Sequence, residues 1–202
     1  MPPAVPVLTD LDSLRADIEF DATLRGHDLH FRSTWGIFSP REVDAGTQLL
    51  IDRIDVNPTD DCLDLGCGYG PIGVTLARLA PEGQTLLVDK DFVALDYARA
   101  NIEANATTNA EVLSSNGLDA VPPEREFDLV GSNVPAKVGN ELITLFVADS
   151  WARLRPGGRL YLVTLTGMRK FVRRVIEQQC GDYEKVKQGP VYTLHRAVRA
   201  SD

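Results

Sequence analysis

The stretch DCLDLGCGYGPIGVTLARL, residues 61–79, decides the fold. Cys62-Leu63-Asp64-Leu65 reads as a short buried strand, and Ile72 to Leu79 as a helix that Pro71 opens at its first position. Between them lie Gly66, Gly68 and Gly70, residue types that permit positive φ and let a ligand approach the backbone. A dinucleotide fold wants a third small residue three positions after Gly68, where this chain has Pro71. No Gly-Lys-Ser/Thr follows, so a triphosphate loop is not indicated either.

Working outward, Thr85 to Val88 is a continuous apolar strand, and Asp89 ends it 23 positions after Gly66. A carboxylate there can accept hydrogen bonds from both hydroxyls of a ribose, which favours an adenosine-containing ligand. Asp64, just before the glycines, is placed to face a cationic amino group of that ligand. The expected grip is joint, with backbone amides at the tip of the first strand and the Asp89 carboxylate at the tip of the second.

The same alternation continues on both sides. Helices are expected at Asp44 to Ile54, Phe92 to Ala104, Glu141 to Leu154 and Met168 to Gln179. Strands are expected at Glu111 to Leu113, Phe127 to Gly131 and Arg159 to Leu165, the last after the turn Pro156-Gly157-Gly158. Alternating strands and helices argue for an α/β, doubly wound, mostly parallel sheet. The final strands, near Tyr183 to Val186 and Val191 to Val198, are joined by so short a loop that they must form an antiparallel hairpin. Ile18 to Phe31 alternates apolar and polar residues around Arg25-Gly26-His27-Asp28, the pattern of a small N-terminal β-hairpin covering one end of the domain. Residues 1–16, with Pro2, Pro3 and Pro6, read as a frayed leader. Residues 1–34 are thus expected to be leader and hairpin, and residues 35–202 the main domain.

At 202 residues the chain has length for one full core, and its 44% hydrophobic and 25% charged residues are those of a folded globular protein. No run approaches the roughly 20 apolar residues of a membrane span, so a cytoplasmic protein is expected. Cys62, Cys67 and Cys180 lack metal-ligand spacing, and no metal site is suggested. His27, His30 and His195 do not cluster and read as hairpin and surface residues, none of them a catalytic base. The net charge of -8 argues against a broad basic face for nucleic acid, although Arg169, Lys170, Arg173 and Arg174 form a basic stripe on one helix. Such a stripe meets RNA phosphates or is a solvated face, the second being commoner. The preference for Asp and Arg over Lys fits a salt-rich cytoplasm; equal stability in low and molar salt would remove that idea.

With these residues assembled, the chain resembles the class I S-adenosylmethionine-dependent methyltransferases, in particular the RsmC-like branch that modifies guanine N2 in small-subunit ribosomal RNA. The resemblance runs from about Trp35 to the end. Its carriers are Trp35-Gly36-Ile37-Phe38-Ser39, the segment from Asp44 to Leu50, the Asp64 to Gly70 loop, Leu87-Val88-Asp89, Ser115-Asn116, Asn133 and Leu154-Arg155-Pro156-Gly157-Gly158.

The resemblance implies a Rossmann-like seven-stranded sheet with one antiparallel strand. It implies S-adenosyl-L-methionine as cofactor, with Gly66, Gly68 and Gly70 against the methionine part, Asp89 on the ribose and Asn116 bordering the adenine. Phe38 and Thr47 are implied to help enclose it, and Asp64, Cys67, Lys90 and Asn133 to complete its surroundings. Asn133, Val134 and Pro135 stand where family members acting on an exocyclic amine carry Asn-Pro-Pro-aromatic. There the Asn side chain and the next carbonyl accept hydrogen bonds from the amine, and the aromatic stacks on the base.

This chain departs at Val134, which keeps a carbonyl, and at Ala136, which forfeits about 1–3 kcal/mol of base stacking. Two other readings therefore stay open: a small-molecule methyltransferase, and a cofactor-binding module without catalysis. Longer RsmC-like proteins have a duplicated N-terminal domain, which this chain is expected to lack. An RNA or small-subunit partner would then be docked by the hairpin, by the catalytic face or by another protein.

Overall fold

The computed structural model describes residues 11–135 and 139–201. The first ten residues of the expected leader, and the Ala136 departure, lie outside the described residues. The part of the leader that is described includes a short helix, α1 (Leu11–Arg15).

The hairpin forms as expected. Strands β1 (Ile18–Leu24) and β2 (His27–Ser33) pair antiparallel, with Leu24 opposite His27 across the two-residue turn Arg25-Gly26. Both turn residues have positive φ, 51° and 84°, the combination whose twist matches that of the flanking strands.

Helix α2 (Ala45–Arg53) is capped by Asp44, whose carboxylate accepts from the amides of Gly46 and Thr47. There follow β3 (Cys62–Leu65), α3 (Pro71–Leu79), β4 (Thr85–Asp89), α4 (Phe92–Ala104), β5 (Ala110–Ser114) and β6 (Phe127–Asn133). Then come α5 (Asn140–Ala152), β7 (Leu154–Leu165), a 3-10 turn at Thr166–Met168, α6 (Arg169–Cys180), β8 (Glu184–Gln188) and β9 (Tyr192–Val198). The seven strands order as β5-β4-β3-β6-β7-β9-β8. Only β9 runs against its neighbours, which is the expected one antiparallel strand. The chain leaves β3 toward β4 on one side and returns to β6 on the other. That reversal opens a crevice at the carboxyl ends of β3 and β6, where open α/β sheets bind ligands.

The strand pleat sorts the core onto two faces. Leu63, Leu65, Val130, Leu160 and Leu162 pack with α5 and α6 residues such as Val147, Val172 and Ile176. Cys62, Leu129, Tyr161 and Val163 pack on the other face with Leu50, Ile54, Ile72 and Leu76. Leu24, Leu29 and Phe31 of the hairpin join this second cluster. At the opposite end of the sheet from the crevice, Arg155 bridges Asp61 (2.8 Å) and Asp128 (2.7 Å), and Arg159 pairs with Asp60, tying the starts of β3, β6 and β7 together.

Two expectations need correction. Strand β7 begins at Leu154 rather than Arg159: Phe127 pairs with Leu154 and Leu129 with Arg159, so the Pro156-Gly157-Gly158 turn is a bulge inside the strand. His195 is not a surface residue. It is fully buried on β9, hydrogen-bonded to Thr164 Oγ1 (3.1 Å) and the Tyr183 hydroxyl (3.2 Å), and burial lowers its pKa to about 4. The C-terminal hairpin forms as expected, but which side of it meets the core depends on partners distant in sequence.

Candidate functional site

A cavity of about 400 Å³ opens at the carboxyl ends of β3, β4 and β6, within the range that holds a small ligand. Its floor is the glycine loop between β3 and α3. Gly66 and Gly68 have φ of +76° and +56°, and a Cβ on either would meet nothing within 4 Å. The glycines are needed for the backbone conformation, and the space beyond them is open to a ligand.

Four of the loop's amides are hydrogen-bonded within the protein. The amides of Gly66 and Cys67 donate to the Val88 carbonyl (2.9 and 3.0 Å), Gly68 donates to Asp89 Oδ2 (2.9 Å), and Gly70 donates to the Cys67 carbonyl (2.9 Å). At Gly66 and Gly68 the loop offers bare Cα surface. From behind, Tyr69 is wedged edge-on against Phe31 and Phe20 of the hairpin, at ring distances of 5.8 and 6.0 Å. Asn101 of α4 donates to the carbonyls of Tyr69 (2.8 Å) and Arg32 (2.9 Å), so it links hairpin, helix and loop. The hairpin thus buttresses the floor of the cavity.

Asp89 stands at the cavity wall, its carboxylate held by the amides of Gly68 and of Asp91 (3.0 Å). Each of its oxygens keeps a lone pair for a further donor. On the opposite wall, Asn133 ends β6. Its Nδ2 donates to Asp44 Oδ2 (3.0 Å) and to Thr47 Oγ1 (2.9 Å), and the Tyr192 hydroxyl donates to Asp44 Oδ1 (2.9 Å). Val134 is anchored by its amide on the Val163 carbonyl (3.0 Å). Burial, with Asp44 beside it, pushes the Tyr192 hydroxyl up to about 12, so it remains a donor throughout the neutral range.

Of the residues singled out from sequence, the fold brings Gly66, Cys67, Gly68 and Asp89 to one side of the cavity. It brings Thr47, Asn133, Val134 and Pro135 to the other, with Phe38 at the mouth, 64% exposed. Four lie outside the wall. The strand pleat places Asp64 on the same face as Cys62, beneath α3, where it is fully buried and its Oδ2 accepts from the Gly73 amide (2.8 Å). Asp64 Oδ1 has no hydrogen-bond partner among the described residues, and burial raises its pKa to about 7. Gly70 faces inward, its Cβ position 3.1 Å from Leu87 Cδ2, a packing glycine between α3 and β4. Lys90 is exposed, and Asn116 is exposed with its amide turned to Asp119 (3.3 Å).

The sequence reading missed Asp44 and Tyr192 as members of the wall. Asp44 carried the signal of a helix cap, while Tyr192 carried none, because it reaches the site only through the antiparallel return of β9.

In the basic stripe, Arg169 donates to the Thr166 carbonyl (3.0 Å), and Arg173 pairs with Glu177 (2.8 Å) and lies over the Tyr183 ring. Arg174 is exposed over Phe171, and Lys170 is exposed.

Residues 28–196 match the family model described as Methyltransferase small domain. The chain belongs to the methyltransferase small domain family. Within it, the chain is 32% identical over 198 residues to the Ribosomal RNA small subunit methyltransferase C of Pseudomonas entomophila (strain L48), covering 96% of this chain and 58% of that relative. It therefore spans little more than half the length of that relative. The protein YbxB of Bacillus subtilis (strain 168) is 33% identical over 141 residues, 69% of this chain and 70% of that protein. Among solved structures, the T. thermophilus 16S rRNA N2 G1207 methyltransferase (RsmC), in complex with AdoMet and guanosine, superposes with a TM-score of 0.83 at 28% identity, over 91% of this chain and 50% of that one. No described helix is long and apolar enough to cross a membrane.

Proposed function

We propose that this chain is an S-adenosylmethionine-dependent methyltransferase acting on the exocyclic amine of a base in small-subunit ribosomal RNA, with guanine N2 as the acceptor. The residues present fit that cofactor: an open glycine floor without Cβ atoms, and a carboxylate beside it with lone pairs to spare. Gly66, Cys67 and Gly68 would hold its amino-acid part, Asp89 its ribose hydroxyls, and Phe38 and Thr47 would help enclose it. When bound, the cofactor supplies an electrophilic methyl group on a sulfonium.

The chain's own task is to position the amine opposite that methyl group. The observation that carries the reading is Asn133. Both of its donor hydrogens are taken up by Asp44 and Thr47, so its Oδ1 is left as an acceptor in the cavity wall, followed by the Val134 carbonyl. Two acceptors side by side suit an amine, whose hydrogens they bind, and draw its lone pair toward the methyl group. Pro135 fixes the backbone after them. The likeness in sequence to ribosomal RNA methyltransferases, and in structure to one solved with AdoMet and guanosine, supports this assignment.

A small-molecule acceptor is the second reading, favoured by the net charge of -8. One experiment separates the possibilities: incubation with methyl-labelled S-adenosylmethionine and, in turn, naked 16S ribosomal RNA, assembled small subunits and a metabolite extract. Label in guanine of the RNA is the expected result. Label in metabolites alone transfers the assignment to the second reading, and cofactor binding without transfer to any acceptor refutes catalysis.

A further inference from the structure

Asp44 and Tyr192 do more than cap a helix and fill a wall. The Asp44 carboxylate collects four donors from three separated parts of the chain: the amides of Gly46 (2.7 Å) and Thr47 (3.3 Å) on α2, Asn133 Nδ2 from β6, and the Tyr192 hydroxyl from β9. The Asn133 and Tyr192 contacts join residues 89 and 148 positions from Asp44 along the chain. Gly46 makes this convergence possible, since a Cβ there would lie 2.8 Å from Asp44 Oδ2 and 3.0 Å from the Tyr192 ring.

An ionised carboxylate has only acceptors to offer, so an amide meeting it must present its NH2 end; the reversed amide would set oxygen against oxygen. Thr47 is indifferent, because a hydroxyl both donates and accepts. From this we infer that the Asp44 carboxylate, oriented by Tyr192, is a positioning group that locks the Asn133 amide with Oδ1 toward the cavity. The inference deepens the functional reading and rests on it for its catalytic consequence. Without the lock Asn133 is free to reverse, and an NH2 group facing the acceptor amine repels the hydrogens that Oδ1 was to receive. The pair acts through Asn133, so its loss lowers turnover by more than it weakens cofactor binding.

Two substitutions separate this role from capping. Serine caps helices about as well as aspartate, but is too short to reach Asn133 or Tyr192, so Asp44→Ser keeps α2 and removes the lock. Asp44→Asn keeps a carbonyl oxygen for the two amides and for Asn133, and turns its own NH2 toward the tyrosine oxygen.

The first readout needs no substrate. In the ¹⁵N spectrum of the full chain, the Asn133 side-chain amide is identified by its disappearance in Asn133→Asp. In the wild type its two protons are expected at distinct shifts and slow in solvent exchange; in Asp44→Ser exchange accelerates by about tenfold or more, and in Asp44→Asn the wild-type pattern is largely kept. The second readout is kinetic, with labelled cofactor and small-subunit RNA. Asp44→Ser is expected to lower kcat by about tenfold or more, a larger change than in the cofactor KM, and Asp44→Asn to recover most of the loss in kcat. Thermal melts check that both variants are folded. Unchanged amide protons in Asp44→Ser, or unchanged kcat in the face of altered protons, overturn the inference. A wild-type protein that methylates none of the acceptors overturns the functional reading instead, and the resonances then judge the lock alone.

Discussion

Substituting Asp64 by asparagine tests whether a carboxyl group is held neutral beneath the glycine loop. Asp64 is fully buried, receives one hydrogen bond from Gly73, and has its other oxygen without a partner among the described residues. Burial is the main cause that raises its pKa from 3.8 to about 7; the Gly73 hydrogen bond opposes the rise and nearby Asp89 adds to it. In the unfolded chain the group ionises near 3.8, so between these values the folded state binds the extra proton and stability falls as pH rises. The contribution is fully present below pH 3.8 and is lost as pH passes about 7. At 1.36 kcal/mol for each tenfold change, the whole loss is about 4 kcal/mol, an upper figure because water penetration relaxes buried charges.

His195 works in the opposite sense within the same pH range. Its pKa falls from 6.5 to about 4, so stability is lost as pH drops from 6.5 toward 4. The test is therefore the difference between wild type and Asp64→Asn, in which His195 cancels. The substituted side chain keeps a carbonyl for the Gly73 amide and does not titrate. Urea unfolding at pH 4.5, 5.5, 6.5 and 8 should show the variant gaining on wild type by about 2–4 kcal/mol across the series. Parallel curves for the two proteins would refute a neutral Asp64.

The other expectations concern α3, the carboxylate at the end of β4 and the stripe. Gly73→Ala places a Cβ 2.3 Å from Leu87 Cγ in the core, which should cost about 1–3 kcal/mol and lower the melting temperature by about 2–10 °C; an unchanged melt would mean that the α3 to β4 contact is loose. Asp89→Asn should weaken binding of S-adenosylhomocysteine about tenfold in calorimetric titration, by loss of a charge-assisted acceptor, and an unaltered Kd would remove Asp89 from the ribose site. Lys170→Gln with Arg174→Gln should lower the slope of log affinity against log salt for small-subunit RNA by about 1.5, because these two charges are the stripe's exposed members without an ion pair among the described residues. An identical slope assigns the stripe to solvent.

Much of the architecture was legible because it is written locally. β3, α3, β4 and α4 fall within a residue of their expected limits, since apolar runs, Pro71 and the glycines mark each boundary within a few residues of itself. The alternation around Arg25-Gly26-His27-Asp28 likewise announced the hairpin, whose turn the structure narrows to Arg25-Gly26. Local signals failed where spacing was satisfied in more than one way. Pro156-Gly157-Gly158 reads as a loop, yet the pairing of Phe127 with Leu154 carries the strand through it. Asp64 reads as a ligand group, yet the pleat turns it under α3.

The sequence alone determined the alternation of a doubly wound sheet, the glycine floor and the carboxylate at the end of β4, because each depends on residues adjacent along the chain, whereas the place of Asn133 came from the family resemblance. Tertiary structure alone decided which way the Asn133 amide points, that Tyr192 belongs to the cavity, and that His195 is buried. Those outcomes depend on hydrogen bonds and packing between segments as much as 148 residues apart, and such partners are chosen by the closure of the sheet, not by any local pattern.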